Sequence, residues 1–251
     1  MKFQASKIAF LTIALGAVFT FFAFQKEKNT TQNTDNRGVA ILQLFTSESC
    51  SSCPPADDIL RDYANKDNVF ALSYHVTYWN RLGWTDPFSQ KKFDDKQYAY
   101  GEKFRLSSVY TPQVVVNGGK ETVGSKENQV ANLIKNALST PVKTTISLEK
   151  SLKNNDISIN YTLSGKIPQD AILTFALVER NLATAVKRGE NEGRTLHHDN
   201  VVRLEQSQKA TEKGSVSFEI APTWKKENCA VIAFVQEANL GQVTGAAKIG
   251  F

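Results

Sequence analysis

The chain opens into alternating apolar runs and amphipathic stretches once residue 38 is reached. Val39 to Phe45 (VAILQLF) is short, apolar and partly β-branched, which predicts a buried strand. A polar turn from Thr46 to Cys53 follows, then Pro54-Pro55. Asp57 to Ala64 places Ile59, Leu60 and Tyr63 at helical spacing. Val69 to Val76 (VFALSYHV) predicts a second strand. Asp86 to Leu106 predicts a helix with Phe93, Gln97, Tyr100 and Phe104 along one stripe. Thr111-Pro112 then precedes a strand at Gln113 to Val116, a hairpin signal at Asn117-Gly118-Gly119 and a return strand at Glu121 to Val123. A last helix, Lys126 to Leu138, carries Val130, Leu133, Ile134 and Ala137 on one face.

Pro141 ends that helical pattern, and the period shortens to two. Strands are predicted at Val142 to Lys150, Ile157 to Leu163, Ile172 to Val178, Val216 to Ile220, Ala230 to Val235 and Val243 to Ile249. Several short strands between turn clusters point to a β-sandwich. The pattern therefore divides near Thr140–Pro141, into residues 38–140 and 141–251. Upstream, Lys2 and Lys7 precede the uncharged, apolar stretch Ile8 to Phe24. This reads as a signal peptide or N-terminal membrane anchor over residues 1–25, with both outcomes open, followed by a polar tether over 26–37. The body of the protein is then expected outside the cytoplasm: periplasmic, extracellular, or anchored by residues 8–24 and facing outward.

Composition adds limits. The 251 residues hold 41% hydrophobic and 22% charged side chains, the range of a folded globular chain. The net charge of +5 is modest and no Lys/Arg tract is present, so a nucleic-acid partner is not expected. Three cysteines are too few for a disulfide-rich scaffold.

Their placement carries the chemistry. Cys50-Ser51-Ser52-Cys53 sits between a predicted strand and a predicted helix. A zinc ribbon needs a second ligand pair, and the remaining Cys229 stands alone in an apolar run (CAVIAFV). A C-x-x-C at a helix start fits a redox pair, because helix-start N–H groups stabilise a thiolate. Two successive prolines belong in a first helical turn. With Ser51 or Ser52 as N-cap, Cys50 is expected to face solvent as the attacking thiol, and Cys53 to lie in the first turn as the resolving one. Glu48 opposes this reactivity, since a nearby carboxylate raises a thiol pKa.

The order strand, C-x-x-C, helix, then Thr111-Pro112 before a strand and an Asn-Gly hairpin, resembles the thioredoxin-like superfamily. More narrowly, LFTSESCSSCPPAD (Leu44 to Asp57), SYHVTYWNRLGWTDPF (Ser73 to Phe88), QYA (Gln97 to Ala99), YTPQVVVNG (Tyr110 to Gly118), GENEGRTL and NVVR (within Gly189 to Arg203) are similar to a bacterial exported family catalogued as domain of unknown function 1223. The resemblance implies an α/β thioredoxin-like domain over residues 38–140, followed by a mostly-β, sandwich-like domain over 141–251. It also implies a cis Thr111–Pro112 bond against the two cysteines, which makes Pro112 a third site residue. Ser49 before the first cysteine and Ser51-Ser52 between the two depart from typical thioredoxins.

Other residues invite function. His75, at the end of a predicted strand, could join Cys50 and Cys53 as a ligand of soft Cu(I), or assist proton transfer, against the plainer reading of a hydrogen-bonded structural histidine. Trp79, Trp84 and Phe88 could roof the site or merely pack an insertion. His197-His198-Asp199 reads as a polar surface loop rather than a metal site. Gly189 to Arg194 (GENEGR) reads as a loop for docking or binding, and Cys229 as a small buried hydrophobe. The leading expectation is an exported thiol–disulfide oxidoreductase or redox partner, acting on protein thiols or disulfides and calling for no cofactor. The alternatives are a thioredoxin-like scaffold without turnover and a Cys/Cys/His copper module.

Overall fold

The computed structural model describes residues 30–32 and 37–251. The signal or anchor and most of the tether lie outside these residues. The first half contains β1 (Thr30–Gln32), β2 (Ala40–Thr46), α1 (Pro54–Tyr63), β3 (Val69–His75), α2 (Lys91–Phe104), β4 (Gln113–Val116), β5 (Lys120–Val123) and α3 (Glu127–Leu138). The second contains β6 (Thr144–Lys153), β7 (Asp156–Gly165), β8 (Ile172–Glu179), β9 (Leu182–Ala185), β10 (Thr195–His198), β11 (Val201–Lys209), β12 (Lys213–Glu219), β13 (Cys229–Gln236) and β14 (Val243–Gly250). Among the described residues beyond Pro141 the helical content is a single 3-10 turn, Lys226–Asn228.

The expected separate α/β thioredoxin-like domain is not there. Strands from both halves share one mixed sheet of eight, in the order β14-β13-β8-β11-β3-β2-β4-β5. The seam is β11 against β3, parallel, with Val201 opposite Ser73. The Ser73 amide donates to Asn200 O at 3.0 Å, and Asn200 Nδ2 donates to Ala71 O at 3.0 Å. The physical reason is that β3 would otherwise present unpaired amides and carbonyls at a buried edge, which is costly. Pro141 marks where helices stop, not where the sheet does. The apolar face is also continuous. Phe45, Leu72 and Tyr74 share one core cluster with Val178, Ile232 and Phe234, and α2 adds Phe93 and Tyr100.

Two further clusters complete the packing. α1 and α3 cover the opposite face of β2 and β4 through Leu60, Val130 and Ile134 against Leu42, Leu44 and Val114. A second sheet, ordered β1-β6-β7-β12, packs Ile146, Leu148, Ile157 and Ile159 against Phe175, Leu177, Val231 and Val235. β13 alternates Ala230, Ile232 and Phe234 to one core with Val231, Ala233 and Val235 to the other, so it is buried on both faces. The hairpin at Asn117-Gly118 is present. Both residues have positive φ (48° and 65°), and a Cβ on Gly118 would meet Gly241 O at 2.4 Å.

One predicted helix is shorter than its pattern. Asp86 to Gln90 forms a turn ahead of α2, not its first turn. Pro87 follows Asp86, whose Oδ1 accepts the Phe88 amide at 2.9 Å, so the local backbone finds a side-chain partner instead of a helical one. β9, β10 and β11 have no counterpart among the predicted strands, and β11 supplies the seam. Its outer residues, Glu205 to Lys209, are mostly polar, which hid a strand whose buried part is Val201 and Val202.

Candidate functional site

β2 ends at Thr46 and feeds a tight turn in which the Cys50 amide donates to Ser47 O (3.1 Å) and the Cys53 amide to Cys50 O (3.2 Å). Cys53 is the N-cap of α1, and Pro54-Pro55 occupy its first two positions, where no N–H is missed. Helix α1 thus starts one residue later than a Ser52 cap predicts and two later than a Ser51 cap. Cys50 and Cys53 are joined as a disulfide, with Cα atoms 5.5 Å apart. The expectation that Cys50 faces solvent is corrected. Cys50 is 1% exposed and Cys53 0%, while Ser51 and Ser52 are exposed.

Two elements bury the turn. On one side the Thr111–Pro112 bond is cis, and Pro112 is buried. Thr111 Oγ1 lies 3.3 Å from Cys50 Sγ and Thr111 O lies 4.0 Å from it. Trp79 Nε1 donates to Thr111 Oγ1 at 2.7 Å, leaving the threonine hydroxyl hydrogen free for the sulfur. Ser52 Oγ is a second hydroxyl 3.3 Å from Cys50 Sγ. On the other side comes the loop Gly189 to Arg194. Asn191 is fully buried, and its Nδ2 donates to both Glu48 O and Cys50 O at 2.9 Å. Arg194 Nη1 holds Asn191 Oδ1 at 2.7 Å. Glu190 accepts from the Ser51 amide (2.9 Å) and hydroxyl (2.7 Å), and these two bonds keep its carboxyl below the usual range.

Around the turn lies a buried titratable cluster drawn from five elements. His75 Nδ1 meets Asp86 Oδ2 at 2.7 Å. The same oxygen accepts the Glu48 amide at 2.9 Å. The Glu48 carboxylate is 0% exposed, accepts from Trp84 Nε1 at 2.7 Å, and has its other oxygen 3.2 Å from His198 Nε2, without hydrogen-bond alignment. Asp57 Oδ2 lies 3.9 Å from His198 Nδ1 and accepts from Thr46 Oγ1 at 3.3 Å. The rings of His75 and His198 meet edge-to-face at 4.9 Å, and Phe88 packs on both. Burial pushes the Asp57 carboxyl up to about 7, against the opposing pull of His198. Burial also pushes Asp86 up, but the His75 imidazole and the amides of Glu48 and Phe88 outweigh it and leave the group below its ordinary value.

The sequence-predicted residues are therefore only partly convergent. Cys50, Cys53 and the Thr111-Pro112 corner come together. His75 is committed to Asp86, and among the described residues no group of three His, Cys, Asp or Glu side chains is placed to hold a metal ion. Trp84 binds Glu48, Phe88 covers the histidines, and Trp79 orients Thr111. His197-His198-Asp199 is not simply a surface loop. His198 lies in β10, 2% exposed, while His197 points out. Cys229 is buried, and burial pushes its thiol up to about 11. Pattern reasoning missed Asp57 and Asp86, took His198 for part of a surface loop, and read Asn191 only as part of a docking or binding loop, which here docks on the turn. The alternation Thr195-Leu196-His197-His198, exposed-buried-exposed-buried, was the signal available for His198.

The family description "Protein of unknown function (DUF1223)" matches residues 41–236, from β2 through β13. The chain belongs to that family. The matched span crosses Pro141, so it takes in strands on both sides of the seam. No curated protein matches the chain. Among solved structures, the chain is similar to a protein of Agrobacterium tumefaciens determined by X-ray crystallography. The two are 26% identical, with 86% of this chain and 96% of that one covered and a TM-score of 0.62. It is also similar to HBP35 of Porphyromonas gingivalis, at 14% identity, 86% and 76% coverage and a TM-score of 0.62, a likeness of fold alone.

Proposed function

We propose that the protein is a thiol–disulfide exchange protein working through Cys50 and Cys53. The observation that carries this reading is the closed pair at the start of α1, with two hydroxyls, Thr111 Oγ1 and Ser52 Oγ, 3.3 Å from Cys50 Sγ. Hydrogen bonds to a sulfur favour its thiolate, so in the fully reduced pair the negative charge rests on Cys50. A partner thiolate attacks Cys50 Sγ, the Cys50–Cys53 bond breaks, and Cys53 leaves as thiolate. The partner's second thiolate then attacks its own sulfur in the mixed disulfide and releases Cys50. The partner is oxidised and the pair reduced; a partner bringing a disulfide runs the same steps backwards, with Cys50 attacking and Cys53 resolving. Pro112 and Thr111 border the place where a partner chain must approach. An oxidising compartment outside the cytoplasm suits a pair that rests closed, and the basic-then-apolar N-terminus supports that location.

The burial of both sulfurs supports a second reading, a structural disulfide in a binding scaffold. One experiment separates them. Cys50 and Cys53 are titrated against graded glutathione mixtures, and Cys53→Ser is expressed with its N-terminal segment and acid-quenched on non-reducing gels. Exchange with the glutathione pool, with covalent adducts of Cys53→Ser and few of Cys50→Ser, is the expected outcome. A disulfide inert to the pool, with no adducts from either variant, moves the assignment to the scaffold.

A further inference from the structure

We propose that His198 takes up a proton when the Cys50–Cys53 bond opens. This deepens the exchange reading above and rests on it for its biological meaning. The imidazole is buried in a bracket of carboxylates, with Glu48 Oε1 3.2 Å from Nε2 and Asp57 Oδ2 3.9 Å from Nδ1. Neither ring nitrogen has a hydrogen-bond partner among the described residues, and neither does that Glu48 oxygen. Buried polar atoms without a protein partner call for an explanation, and exchange of a proton supplies one. Both carboxylates are tied to the redox turn. Glu48 stands two residues before Cys50, and its carbonyl shares the Asn191 amide with the Cys50 carbonyl. The Asp57 amide donates to the Cys53 carbonyl at 3.1 Å.

The charge balance motivates the step. Glu48 and Asp86, from the turn and the loop after β3, and Asp57 from α1 face this region; the imidazoles of His75 and His198 are the basic groups between them, and Asp58 of α1 lies outside on the surface. Further out, Arg61 pairs with Asp58 and Asp199, and Arg203 stacks on Phe88. Opening the disulfide converts two neutral sulfurs into at least one thiolate. Added to several buried carboxylates, that charge is poorly screened and favours a proton on a buried base; His75 has one ring nitrogen held by Asp86, whereas both ring nitrogens of His198 are without a hydrogen-bond partner among the described residues. The partner thiol that ionises before attack releases such a proton. His198 accepts it as the S–S bond breaks and returns it when the bond closes.

The test is the titration of the His198 ring by NMR in the oxidised and the reduced full chain, with His197→Gln to separate the neighbouring signal. Reduced protein is prepared by unfolding with a phosphine and refolding, so the measurement does not require native exchange. The expected result is a His198 midpoint about one pH unit higher in the reduced protein, a roughly tenfold tighter proton. Cys50→Ala/Cys53→Ala, which has no thiolate, should titrate like the oxidised protein. Equal midpoints in the oxidised and reduced forms overturn the proposal even if exchange with glutathione is fast. A shifted midpoint in a protein inert to glutathione sustains the coupling and removes the exchange reading instead.

Discussion

At Thr111 a neighbour sets the direction of a hydrogen bond. The indole of Trp79 occupies the acceptor side of Thr111 Oγ1, so the hydroxyl hydrogen is available to Cys50 Sγ. A hydrogen bond to a charged group contributes roughly 1.5–3 kcal/mol. Thr111→Val keeps the branched shape beside Pro112 and removes the donor. It should raise the Cys50 thiol pKa by about one unit or more, as followed by thiolate absorbance in the reduced protein. An unchanged titration curve would show that Ser52 alone supplies the effect. Glu48 illustrates the converse. Its place in the sequence puts a carboxylate beside the thiol, and the structure buries that carboxylate against Trp84 and His198.

Among the elements, the loop Gly189 to Arg194 closes the turn that β2 and α1 create. Gly189 sits at φ 82° with its would-be Cβ 3.1 Å from Ser49 Oγ, a close approach that suits glycine. Glu190 binds the exposed Ser51, and Asn191 binds two buried carbonyls. Leaving those carbonyls unpaired costs about 1–3 kcal/mol. Asn191→Ala should loosen the turn and speed reduction of the disulfide by dithiothreitol roughly tenfold, read as the time course of thiol release. Reduction no faster than in the unaltered protein would mean that the loop does not limit access.

Over the whole molecule, one eight-stranded sheet stands where a separate α/β domain was expected. The face of β2 and β3 that carries Phe45, Leu72 and Tyr74 is covered in concert with β8, β13 and α2. A fragment of residues 38–140 lacks β8, β11, β13 and β14, so it would expose that apolar surface and the unpaired edge of β3. It should fail to fold, showing no cooperative thermal transition and ready aggregation. A monomeric fragment with a sharp transition would restore an independent α/β unit. The disulfide turn depends on the same assembly, because its Asn191 and His198 arrive from beyond Pro141.

The sequence by itself determined the local features. Short apolar runs placed β2, β3 and β4, and period 3.6 placed α1 and α3, within a few residues of where they lie, because a strand buried on both faces and a helix buried on one each leave their own pattern in the chain. The Pro54-Pro55 pair located the helix start, and C-x-x-C spacing allowed the Cys50–Cys53 bond, since both are short-range constraints on backbone geometry. The tertiary structure alone decided what depends on distant partners. The β3–β11 seam has only Val201 and Val202 as its apolar signature, and backbone hydrogen bonding between strands leaves little trace in residue type. The burial of Cys50 comes from the Thr111–Pro112 corner together with a loop more than a hundred residues away. His198 became part of the centre because β10 turns it inward beneath Phe88, where two carboxylates from other elements meet its ring.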